Sequence, residues 1–130
     1  MTSEITGQCL CSAVRFTAKL QEGGAVACHC SQCRRWSGHV WAASQATDLA
    51  LTDDRSLRWF RSGESSERGF CGDCGSALFY RVDGRQDLSI AAGAIDKPTG
   101  LSLRGHIFVA DKGDYYTIAD GLPEYPAGDL

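Results

Sequence analysis

Hydrophobic and polar positions along this chain alternate in short bursts, each cut off by Gly, Asp, Ser or a charged cluster. Alternating or apolar β-prone runs fall at residues 13–18, 25–28, 39–44, 57–60, 77–82, 88–92, 106–110 and 115–118. A period of two over four to six residues is the signature of a strand with one buried face. Gly23-Gly24, Asp53-Asp54, Asp83-Gly84, Pro98-Thr99-Gly100 and Lys112-Gly113-Asp114 supply turns between the runs. Only residues 31–36 suggest a helix, of a turn or two. The pattern therefore predicts a mainly β, largely antiparallel fold with irregular loops.

Composition narrows the class. At 130 residues the chain is expected to form a single domain, 1–130, around one core. No apolar run approaches the roughly 18 residues of a membrane span. Met1-Thr2-Ser3-Glu4-Ile5-Thr6-Gly7 has neither a basic nor an apolar leader region, so a soluble, cytoplasmic protein with no membrane partner is expected. The net charge is −3 and Arg34-Arg35 is the only adjacent basic pair, which argues against nucleic acid as a partner. The sequence leaves the oligomeric state open.

The candidate chemistry lies in seven cysteines. An odd number in a reducing compartment points to metal rather than disulfides. They group as Cys9-Leu10-Cys11, Cys28-His29-Cys30-Ser31-Gln32-Cys33 and Cys71-Gly72-Asp73-Cys74-Gly75. The Cys71-x-x-Cys74 turn is half of a zinc site. On an extended strand Cys9 and Cys11 would face the same side and supply the other half. Such a four-cysteine site closes a loop of about 60 residues and would act structurally. Cys28, Cys30 and Cys33 would leave a fourth position on zinc for water, a side chain or an exogenous thiol, which could be activated there. A fourth protein ligand would instead make this site structural too. His29, between two of the cysteines, is expected to point away, and His39 and His106 are more ordinary as hydrogen-bonded histidines. Arg34 and Arg35 could offset thiolate charge, receive a substrate carboxylate, or lie solvated at the surface. Trp36, Trp41 and Trp59 read as core or pocket wall.

Gly7-Gln8-Cys9-Leu10-Cys11, the Cys28–Arg35 segment with Ser37-Gly38, and Phe70-Cys71-Gly72-Asp73-Cys74-Gly75-Ser76 resemble the glutathione-dependent formaldehyde-activating enzymes, a family that also includes centromere protein V. Ala92-Gly93-Ala94-Ile95-Asp96, His106-Ile107 and Asp120-Gly121-Leu122-Pro123-Glu124-Tyr125 extend the resemblance over nearly the whole chain. It implies an Mss4-like β-fold with two zinc ions per chain. Cys9, Cys11, Cys71 and Cys74 match the structural ligands, and Cys28, Cys30 and Cys33 match the catalytic ones. The implied activity is a carbon–sulfur lyase reaction: glutathione adds to formaldehyde to give S-hydroxymethylglutathione, or the adduct is cleaved. Small thiols and aldehydes are thus the expected partners. The alternative is a non-catalytic zinc module for a protein or nucleic-acid partner. A methionine-sulfoxide-reductase-like catalyst would need a spare nucleophilic cysteine, and the metal assignment leaves none.

Overall fold

The alternation around Phe16 builds a strand with one wet face. β2 (Arg15–Leu20) buries Phe16, Ala18 and Leu20 and exposes Arg15, Thr17 and Lys19. The structure, a computed structural model, describes residues 3–128. β2 pairs antiparallel with β1 (Ser3–Gln8) on one side and β4 (Trp41–Asp53) on the other. β4, at 13 residues, is the spine of the sheet. Its first residues pair with β3 (Ala25–Cys28), its later ones with β2 along the same edge, and its middle with β8 (Leu88–Ala91) on the opposite edge. Between Thr17 and Lys19 the register slips, where Asp48 takes a left-handed conformation (φ 57°). This bulge bends the long strand within its pairing to β2.

Beyond β8 the sheet continues through β7 (Ala77–Val82), β6 (Ser66–Cys71) and β5 (Leu57–Arg61), all antiparallel. β9 (Leu103–Ile107) adds to the free side of β3 in parallel, completing a nine-stranded sheet. Mainly antiparallel β is therefore what the chain adopts, with this one parallel pair that the sequence pattern does not predict. α1 (Ser31–Ser37) spans one residue more than expected and ends where Gly38, at φ 91°, returns its N–H to the Arg34 carbonyl. No helix among the described residues is long and apolar enough to cross a membrane.

Two strands escape the sequence pattern and one expected strand does not form. β1 is an edge strand whose mostly exposed Ser, Glu, Thr and Gln mask its alternation. β6 contains Arg68 and Gly69, both buried, where a strand pattern would call for apolar residues. Residues 115–118 instead run as irregular chain, with Tyr115 and Tyr116 laid against His39 and His29. β4 reaches Asp53, well past its expected end at 44, and the last strand lies at Leu103–Ile107 instead of 106–110.

The main core lies between β2, β4, β7 and β8. Phe16 and Phe79 meet edge to face at 5.1 Å, surrounded by Val14, Leu78 and Ile90. Burial of each such side chain stabilises the fold by roughly 1.5–3 kcal/mol. Cys9 and Cys71 belong to this core. A smaller cluster of Cys33, Trp41 and Ala91, packed against Trp36 and Tyr80, lies at the start of β4.

Candidate metal centres

The first cysteine cluster forms where two turns face each other. β1 stops at Gln8, so the expectation that Cys9 and Cys11 project from one face of a strand is corrected: they occupy the reversal leading into β2. The chain must turn here because Gln8 pairs with Arg15. Ser12, at φ 66°, donates its N–H to the Cys9 carbonyl at 3.3 Å, and the Val14 N–H donates to Cys9 Sγ at 3.3 Å. The turn after β6 repeats the device. The Gly75 N–H donates to the Cys71 carbonyl at 2.8 Å with φ 81° at Gly75, and the Cys74 N–H donates to Cys71 Sγ at 3.4 Å. A hydrogen bond of 3.0 Å from the Leu10 N–H to Ser76 Oγ locks the turns together.

All four sulfurs lie within 4.8 Å of one another. Cys9 Sγ is 3.7 Å from Cys11 Sγ, which is 3.7 Å from Cys71 Sγ, and none of the cysteines is in a disulfide. Sulfurs about 2.3 Å from one tetrahedral zinc would be separated by about 3.8 Å, so the donor set fits such an ion. Amide N–H groups aimed at sulfur also suit thiolates better than thiols. The Ser76 hydroxyl, 3.2 Å from Cys74 Sγ, is the main cause that draws the Cys74 thiol down to about 5.

The second cluster is local. Cys28 ends β3, Cys30 is the N-cap of α1, and Cys33 lies in its first turn, with the three sulfurs within 4.8 Å of one another. Cys30 Sγ accepts the Cys33 N–H at 3.3 Å, so the side chain that caps the helix is also a candidate ligand. Left to themselves, the thiols compete for one negative charge. Hydrogen bonds from Cys28 and then Cys33 draw Cys30 down to about 2, while the hydrogen bond with Cys30 pushes Cys28 far up. Three thiolates can coexist there only around a cation. The cluster forms one wall of a cavity of about 530 Å³, whose other walls include Trp41, Tyr80, Ile107, Phe108, Arg68 and Arg104. A cleft of similar size, about 540 Å³, at the outer end of β1 and β2 has no cysteine in its walls.

None of the three histidines joins a sulfur cluster. His29 points away from the cluster that flanks it, as expected. It belongs to a chain in which Tyr116 Oη, His29, His106 and Asp120 follow one another at 2.6, 2.8 and 2.8 Å, buried at the two histidines and open to solvent at Asp120. A carboxylate can only accept, so one direction satisfies every member: Tyr116 donates to His29, His29 to His106, and His106 to Asp120. The Leu122 N–H and then His106 hold the Asp120 carboxyl below its ordinary range. His39 lies at the surface, 2.7 Å from Tyr115 Oη.

Arg34 and Arg35 are not in the cavity wall; Arg35 is exposed and Arg34 half-buried. The cation beside the cluster is Arg68, whose Nη1 donates to Cys33 Sγ at 3.6 Å. Arg68, Tyr116 and the role of Asp120 are absent from the sequence reading. Nothing in Glu67-Arg68-Gly69 marks a site, because Arg68 reaches the cluster only when β6 is set beside β7 and α1. Trp41 and Trp36 pack together at 5.1 Å next to the cluster, and Trp59 stacks on Phe79 at 6.0 Å with Arg81 over its face, in line with their reading as wall and core.

A β-sheet with a four-sulfur cluster at the margin of its core and a three-sulfur cluster at a cavity defines a class of cysteine-rich proteins whose sulfur clusters could hold metal ions. Comparison with known proteins narrows the class. Residues 4–111 match the glutathione-dependent formaldehyde-activating enzyme family, and the chain belongs to that family. An uncharacterized lyase from Schizosaccharomyces pombe is 27% identical over 119 residues, which cover 90% of this chain and 87% of that protein. A crystal structure of a Rhodobacter sphaeroides protein shares the fold with a TM-score of 0.61, covering 92% of this chain and 99% of its own at 21% identity.

Proposed function

We propose that this protein is a zinc-dependent carbon–sulfur lyase that adds a small, glutathione-like thiol to an aldehyde, or cleaves the adduct, in the cavity walled by Cys28, Cys30 and Cys33. The observation that carries this reading is that one of the two sulfur clusters offers three donors, not four, and does so at a cavity. Cys9, Cys11, Cys71 and Cys74 would hold the structural zinc, and Cys28, Cys30 and Cys33 the functional one. Membership of the formaldehyde-activating family and the lyase name of the fission-yeast relative support a lyase. Zinc bound by the three cysteines would supply acidity, keeping an incoming thiol in its thiolate form near neutral pH.

The chain's own residues supply the rest. Trp41, Ile107 and Phe108 provide an apolar wall that limits water around the reacting carbon. Of the charged residues in the lining, Glu22, Asp111, Arg68 and Arg104, Arg104 offers a guanidinium to a carboxylate of the thiol. In the addition the carbon–sulfur bond forms as the carbonyl π bond opens onto oxygen, and the proton lost by the thiol ends on that oxygen. Holding both reactants in one cavity raises their effective concentration, a contribution that is large even for a reaction that proceeds in water.

The test is zinc analysis of protein purified without chelator, followed by exchange spectroscopy of thiol and aldehyde pairs, including glutathione with formaldehyde. Acceleration of adduct formation or cleavage over the buffer rate is expected for the protein carrying two zinc ions and is expected to be absent from Cys30→Ser. A central cluster that binds zinc yet accelerates no pair in a broad panel would overturn the catalytic reading.

A further inference from the structure

Arg68 is a charged residue on β6, one strand in from the β5 edge of the sheet, and only 5% exposed. No carboxylate among the described residues pairs with it. Its guanidinium lies between the rings of Trp36 and Tyr80, 5.0 and 4.9 Å from their centroids. Nη1 donates to Cys33 Sγ at 3.6 Å and Nη2 to Gln32 Oε1 at 3.2 Å, while Nε is buried without a hydrogen-bond partner. A buried cation held by neutral groups and one sulfur is costly unless a negative charge forms beside it. Two other arginines of this part of the sheet do pair with acids: Arg61 on β5 with Asp83 and Glu67, and Arg81 on β7 with Glu67.

We propose that Arg68 is the built-in counter-ion of the Cys28/Cys30/Cys33 metal centre, neutralising the net negative charge that three thiolates leave on a divalent ion. This rests on the reading of that cluster as a metal site. The aromatic sandwich fixes the guanidinium plane, so the charge is in place before a metal arrives. Gln32, in α1 between Cys30 and Cys33, holds one end of the fork while the other meets Cys33. The four-cysteine cluster has no such cation in contact with its sulfurs among the described residues; it uses amide N–H groups and the Ser76 hydroxyl.

Two effects of Arg68 oppose each other at the metal. Its N–H draws electron density from Cys33 and weakens one donor, whereas its charge favours the whole metal–thiolate unit. Coulomb attraction between buried opposite charges a few ångströms apart exceeds the change in one donor's strength, so affinity is expected to follow the charge. Arg68 on this account acts by its charge on the whole cluster, which it touches at Cys33.

The four-cysteine cluster provides an internal control in the same molecule. Zinc release to a chromophoric chelator should show a central-site phase at least tenfold weaker in affinity in Arg68→Met, with the four-cysteine phase unchanged, and Arg68→Lys should recover most of the loss. If Arg68→Met is insoluble, Arg68→Gln reads the same effect, because it keeps a donor and loses the charge. With cobalt in the central site, the sulfur-to-metal charge-transfer bands should move to longer wavelength in Arg68→Met, since sulfur without its donor gives up electrons more easily. Equal central-site affinity in Arg68→Met or Arg68→Gln, with unmoved bands in Arg68→Met, would overturn the proposal, as would a loss in Arg68→Lys as large as in Arg68→Met, the result of a purely packing role. A wild-type protein that takes no metal at the central cluster would remove the metal reading itself and this proposal with it. Because the readouts do not depend on turnover, an inactive but metal-binding protein would still decide the role of Arg68.

Discussion

Gly7 lies one residue before the end of β1, where it forms a bridge to Ile95. A Cβ there would stand 2.4 Å from the Phe16 ring and 2.5 Å from the Ala94 carbonyl oxygen. The oxygen belongs to the 3-10 turn at Ala92–Ala94, and the ring belongs to the main core, so neither can move aside freely. Gly7→Ala is expected to lower stability by about 1–3 kcal/mol, the usual range for overpacking, measured by urea unfolding of the protein as purified without chelator. Wild-type stability would mean that β1 can shift away from the turn. The same residue appears in the sequence only as a glycine two positions before Cys9, since the atoms that exclude a side chain come from residues 16 and 94.

At the scale of elements, α1 shows how fold and proposed function share one atom. Cys30 Sγ caps the helix and is also a candidate ligand. Serine is among the best N-cap residues, so Cys30→Ser should keep the cap while removing one sulfur donor. Far-UV circular dichroism and melting temperature are expected to change little, with the central zinc and thiol-dependent activity lost. Cys71→Ser is the contrast: Cys71 is fully buried in the main core and joins β6 to the turn after β1. A sharp fall in melting temperature, or insolubility, is expected there. Should Cys30→Ser destabilise the protein as severely as Cys71→Ser, the central site would be structural. The spacing of these cysteines already separates a local cluster from a long-range one. That Cys9 and Cys11 sit on a turn rather than a strand is legible only from the pairing of Gln8 with Arg15.

Over the whole molecule, the two clusters close very different lengths of chain. The sulfur contact between Cys11 and Cys71 spans 60 positions, whereas Cys28 to Cys33 lies within one strand end and one helical turn. Loop closure in the unfolded chain costs more for the longer span, so a metal held by the four cysteines would contribute more to global stability. Graded chelation should therefore remove the central metal first with amide exchange in β1, β6 and β7 unchanged. Removal of the second metal should then release protection in these strands together. Simultaneous loss of both metals with one unfolding transition would show that the sites are not independent.

Residue type and spacing alone determined the family, the mainly β class, the division of the cysteines into four and three, and most of the strands, because each is carried by neighbours within a few positions. The turn residues and thiol pairs act locally, and a local signal survives in the sequence. Tertiary structure decided what depends on distant segments meeting. It set Arg68 against Cys33, linked His29 through His106 to Asp120, joined β9 in parallel to β3, and walled the three-cysteine cluster with Trp41 and Tyr80. A buried arginine in a strand looks like an exposed one until the sheet is assembled, since its burial and its partner come from other parts of the chain.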